Sequence, residues 1–178
     1  MLQSHVSEGK LDRDAVAGSL RKWLDAVLPA TRLALGHEIR TNEQTAGAGA
    51  DAEFEHPEVV VVLSGADQAL LLERNAELLL ALEYLAVRSL RLEPPFFDRV
   101  RFDAGGYRAR RIGELKLAAQ TAAGRVRETR QAFRFNPMAA RERRIVHLVL
   151  KDLPGIRTAS EGDGEERQVV IFPAEQKK

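Results

Sequence analysis

No cysteine occurs in the 178 residues. Disulfides, thiolate zinc sites and thiol nucleophiles are thereby excluded, and the chain suits a reducing compartment. The start, MLQSHVSEGKLDRD, lacks a basic segment followed by an apolar one, so no secretory signal is expected. Apolar runs stop far short of the ~18 residues that suggest a membrane span. These absences together predict a soluble, cytoplasmic protein. Catalytic signatures are missing too. His5, His37, His56 and His147 show no metal-ligand spacing such as H-x-x-x-H. Neither a nucleophile elbow nor a phosphate-cradling glycine loop is present, and no acid–base pair for a hydrolase stands out. The expectation is a non-enzyme without metal or cofactor.

What is present begins with apolar residues at 44%, enough for one domain or two small ones. The net charge of +1 hides a split. Residues 42–98 carry three basic and eleven acidic side chains, whereas residues 99–147 carry thirteen basic and four acidic ones. A basic block of this size points to a polyanion partner such as nucleic acid. The alternative is a solvated, arginine-rich helix with no ligand.

Leu11, Val16, Leu20, Trp23, Leu24 and Val27 recur at helical spacing, predicting an amphipathic helix over 11–28 that Pro29 ends. Residues 33–40 suit a strand, and the polar, small-residue stretch 41–58 suits a hairpin loop. VVVVL at 59–63 reads as a fully buried strand. After it come a turn at 64–67, with Ser64 or Asp67 available as a helix cap, and two helical segments, 68–72 and 77–89. Pro94-Pro95 breaks the chain before a strand at 99–103. This half is therefore α-β-β-α-α-β.

Gly105-Gly106 reads as a hinge, followed by a long basic helix over 108–129 with an alanine-rich face. A short strand at 132–135, a helix from beyond Met138 through Lys151, and two hairpin strands at 156–160 and 168–172 complete an α-β-α-β-β order. The last residues, 174–178, read as a frayed tail.

In RERRIVHLVL (141–150), Arg143 and His147 stand four apart and share one helix face. Arginine offers a planar fork of donors to a phosphate, and histidine offers a ring N–H and a stacking face. Arg141 and Arg144 flank them, and Tyr107, Arg108, Arg110 and Arg111 open the preceding helix. All eight are candidate nucleic-acid contacts, although helical geometry keeps them from facing one groove together. The alternative role for His147 is a half-buried histidine hydrogen-bonded to a neighbour.

The R-x-x-x-H spacing is the defining pair of the R-3-H domain. Pro137-Met138 upstream and Thr158, Ser160-Glu161-Gly162, Arg167 and Val169-Val170 downstream strengthen the match, as does Gly106-Tyr107-Arg108. The sequence over about 58–173 resembles the bacterial Jag-type, or SpoIIIJ-associated, family, in which a KH domain immediately precedes an R-3-H domain. That resemblance implies an α+β architecture with a type II KH-like domain at 1–104 and an R-3-H domain at 105–173. It also implies binding of RNA or single-stranded DNA, and pairing with a small KH-domain protein.

A KH domain joins two helices by a GxxG loop whose glycines let the nucleic-acid backbone approach. The flanks Ser64-Gly65 and Tyr84-Leu85 set that loop on Glu73-Arg74-Asn75-Ala76, where both glycine positions are filled. Glu73 brings negative charge toward a phosphate, at about 1 kcal/mol for a surface like-charge contact. Ala76 is expected to place a Cβ on the contact side. The reading is a single-stranded nucleic-acid binder acting mainly through the R-3-H face, with the KH-like half as scaffold or weak contact. A protein–protein adaptor whose KH-like half pairs with another KH protein is the second class.

Overall fold

The computed structural model describes residues 5–7, 9–41 and 54–174; residues 42–53 of the loop expected at 41–58, and residues 175–178 of the tail expected at 174–178, lie outside them. The chain divides into two compact units, 1–108 and 109–178. Both mix helices with small sheets, so the architecture is α+β.

The first unit opens with a small hairpin, β1 (Val6–Ser7) and β2 (Lys10–Leu11), that periodicity alone does not reveal. Leu11 therefore enters the core from a strand, and the helix begins two residues later as α1 (Arg13–Thr31). Asp12 caps it, its Oδ1 accepting from Ala15 N at 3.0 Å. Val16, Leu20, Leu24 and Leu28 recur every fourth residue and are buried, with Trp23 and Val27 packed beside them. Pro29 does not end α1. In the last turn it forfeits only its own N–H, while its carbonyl accepts from Arg32 N, where a left-handed φ of 60° terminates the helix.

A mixed sheet follows, in the order β3–β4–β5. Strand β3 (Gly36–Thr41) runs antiparallel to β4 (Val59–Ser64), with Ile39 opposite Val61; β5 (Val100–Ala104) runs parallel to β4, with Phe102 opposite Val61. The parallel pairing requires a crossover. That crossover is α2 (Gln68–Ser89) and a 3-10 turn, Pro94–Arg99. The valine run is not buried on both faces: Val59, Val61 and Leu63 are fully buried, whereas Val60 and Val62 are only half-buried. Helix α1 contacts β3 and β4, and α2 contacts β5. The β4–α2 turn needs Gly65, because a Cβ there would lie 2.1 Å from Ala34 O. Asp67 caps nothing with its side chain; its Oδ2 instead accepts from Ala34 N at 2.7 Å, tying the turn to the chain before β3.

Gly105 and Gly106, at φ 56° and 70°, form the turn from β5 into α3 (Tyr107–Thr129), and the first unit continues past them to Arg108. In the second unit, α3 buries Ile112, Leu115, Ala119, Ala122, Ala123 and Val126, the alanine-rich face expected. Strand β6 (Phe133–Arg134), helix α4 (Ala140–Leu150), β7 (Ile156–Glu161) and β8 (Gln168–Pro173) complete it. The antiparallel sheet is ordered β6–β8–β7, and α4 contacts β7 and β8. Ile145, Val146 and Leu150 of α4 are buried, as are Val169, Val170 and Ile171 of the central strand.

Candidate nucleic-acid interface

Helix α4 is held at its start by Glu142. Its Oε2 accepts from Ala139 N at 3.3 Å, and its Oε1 accepts from Arg111 Nε at 2.7 Å. The first contact satisfies an orphan N–H of the helix terminus; the second joins α3 to α4. The strand leading into α4 is stitched to its neighbour by Phe135 N to Val169 O, and Met138 N to Arg167 O. Met138 O then accepts from Arg143 Nη1 at 2.7 Å. Arg143 is half-buried and spends one donor on that carbonyl; among the described residues no carboxylate pairs with it. Its remaining fork is available to an anion.

One turn further along, both nitrogens of the His147 ring are occupied. Nδ1 lies 2.7 Å from Thr158 Oγ1 and Nε2 lies 2.9 Å from Ser160 Oγ. The period of two in β7 puts these hydroxyls on one face of the sheet, and their ladder partners, Ile171 and Val169, share that face. Burial, followed by the positive charge of Arg143, holds the His147 pKa below its ordinary value. The ring is therefore neutral near pH 7, with neither nitrogen left without a partner. Thr158 and Ser160 appear in the sequence pattern only as flanking residues. The signal for their role is two hydroxyls spaced by two on a strand behind a histidine helix.

The other candidates separate. Arg144 is exposed on α4 and Arg141 is half-buried. Arg110 is exposed on the first turns of α3, whereas Arg111 is engaged by Glu142 and by Glu114 at 3.2 Å. Arg108 turns inward. Its Nε donates to Phe102 O at 2.8 Å, its Nη2 to Glu83 Oε2 at 2.5 Å, and Glu55 lies 3.5 Å from Nη1. Only 14% of its side chain is exposed, and its guanidinium is engaged in an ion pair within the first unit. Tyr107 likewise braces the first unit, its hydroxyl donating to Asn75 O at 3.0 Å. Part of the charge split in the sequence closes on itself in the same way: Arg99 pairs with Glu58, which also meets Arg13, and Arg101 pairs with Asp98.

The break in α2 falls on Glu73–Ala76, as the sequence pattern expects. Arg74, Asn75 and Ala76 are left-handed, at φ 49°, 59° and 61°, while Glu73 stays extended at φ −63°, ψ 154°. Glu73, Arg74 and Asn75 are exposed. Ala76 is not on the contact side: it is 0% exposed and belongs to the core cluster, so its Cβ points inward. The glycine position at 73 has no positive φ to accommodate, and the one at 76 carries backbone strain instead of an outward Cβ.

Residues 113–173 match the R-3-H domain, and that domain is present in the second unit. Across a larger part of the chain, the sequence is 28% identical over 150 residues to the RNA-binding protein KhpB of Clostridium symbiosum, covering 84% of this chain and 63% of the relative. The RNA-binding protein KhpB of Bacillus subtilis is 34% identical over 111 residues, 61% of this chain and 53% of the relative. That of Streptococcus pneumoniae is 32% identical over 99 residues, 54% of this chain and 30% of the relative. The chain thus spans less than two thirds of the length of each of these relatives. No helix among the described residues is long and apolar enough to cross a membrane.

Proposed function

We propose that this protein is a non-enzymatic binder of single-stranded RNA whose contact surface lies on the second unit, around Arg143 and His147. The observation that carries this reading is Arg143: a half-buried guanidinium, fixed by one bond to Met138 O, with its other donors uncommitted among the described residues. A fixed fork of this kind binds a phosphodiester with little loss of rotamer freedom. Exposed Arg144 adds charge on the same helix, and Arg110 adds it on α3. The R-3-H match and relatives named as RNA-binding proteins support RNA as the polyanion.

In this reading residues 1–104 are a KH-like domain and 105–173 an R-3-H domain. The first keeps its α-β-β-α-α-β order and its inter-helix loop, but Glu73 stands where a phosphate would approach. It serves as scaffold or weak contact. Pairing with a small KH-domain protein is the second reading, supported by Leu80, Tyr84 and Leu85, which are 38%, 59% and 55% exposed along one side of α2.

The test is a salt titration of the whole chain against short single-stranded RNA by fluorescence anisotropy. Affinity should fall log-linearly with salt, with a slope near about −0.7 for each phosphate engaged. Failure to bind at low salt would leave only the adaptor role.

A further inference from the structure

A neutral imidazole has one N–H and one lone pair, whichever tautomer it adopts. Because both ring nitrogens of His147 meet a hydroxyl, the two hydroxyls must take opposite parts. One donates its proton to the ring and keeps only lone pairs; the other accepts the ring N–H and keeps its proton. Neither Thr158 Oγ1 nor Ser160 Oγ has another partner among the described residues, and both residues are half-buried. The pair therefore offers one donor and one acceptor, held by His147 one turn along α4 from Arg143.

A bare phosphodiester suits only half of this arrangement, since its oxygens accept and would repel the lone-pair member. A ribose 2′-hydroxyl both donates and accepts, and deoxyribose has nothing to place there. We propose that Thr158 and Ser160 touch the sugar of bound RNA and discriminate it from DNA, with His147 acting as a positioning residue that fixes which hydroxyl donates. This rests on the reading of the Arg143 face as the nucleic-acid contact. Arginine secures the phosphate of either polymer, and the hydroxyl pair reads the sugar.

The experiment compares the whole chain on oligouridine RNA and oligodeoxyuridine DNA of equal length at one salt concentration. Wild type should favour RNA by roughly tenfold, the scale of a hydrogen bond or two. Thr158→Val combined with Ser160→Ala should weaken RNA alone, bringing the ratio close to one, and Ser160→Ala alone provides a gentler variant if the double one unfolds. His147→Gln retains one amide donor and one acceptor and should preserve part of the preference, whereas His147→Leu should lose it. Arg143→Ala should weaken both polymers and leave the ratio unchanged. Wild type binding both polymers equally, or hydroxyl variants that keep the wild-type ratio, would overturn the inference while leaving the proposed function standing. Arg143→Ala without effect on either polymer would remove the function reading itself, and the inference with it.

Discussion

Arg108 Nη2 donates to Glu83 Oε2 at 2.5 Å, and Glu83 is only 8% exposed. The same carboxylate oxygen accepts from Phe102 N at 2.8 Å, so the pair ties the start of α3 to the second segment of α2 and to β5. Removing one member of a buried pair strands the other, at about 3–5 kcal/mol. Arg108→Met should therefore cost that much in urea unfolding. Under conditions where the variant is still folded, its RNA affinity should match wild type, because the guanidinium is already committed to Phe102 O, Glu83 and Glu55.

The loop in α2 makes a contrasting set of predictions. Arg74 holds a left-handed φ of 49° while exposed, a conformation that costs an ordinary residue roughly 1–2 kcal/mol. Arg74→Gly removes that strain against a glycine entropy cost of about 0.5–1 kcal/mol, so the urea midpoint should stay level or rise. Glu73→Gly has no strain to relieve and should lower it. Ala76→Gly should be close to neutral, since relief of strain at φ 61° is offset by loss of a buried methyl worth about 0.8 kcal/mol.

The pH dependence follows from His147. Its folded pKa lies below the ordinary histidine value of 6.5, through burial first and Arg143 second. The unfolded chain thus takes up the proton earlier than the folded one. This residue's contribution to stability is fully present above pH 6.5 and is lost as pH falls through the folded value. Urea midpoints measured across that range should show wild type losing more stability on acidification than His147→Gln does. Parallel profiles would contradict the assignment.

These expectations also mark how far the sequence carries. Periodicity locates α1, the interruption of α2 and the R-x-x-x-H pair, since each is written in residues a few positions apart. The pairing of Arg108 with Glu83 is not legible there, because the two lie 25 positions apart and each looks like part of a separate charge block. Ala76 shows the same gap: the sequence marks a missing glycine, but only the left-handed backbone reveals that its methyl faces the core. Pro29 illustrates position over identity, since a proline in a last turn breaks little. Thr158 and Ser160 are visible as residues and not as partners, because hydroxyl spacing acquires meaning only once α4 lies over β7.

One paired measurement decides whether RNA contact is carried by Arg143 on the second unit or by the α2 loop. RNA affinities of Arg143→Ala and Arg74→Ala are compared at the same salt, with folding checked by thermal unfolding. Arg143→Ala should lose roughly tenfold or more, as for a charge-assisted contact, and Arg74→Ala less than about twofold. Equal losses in the two variants would contradict a contact carried by Arg143 and not by the α2 loop.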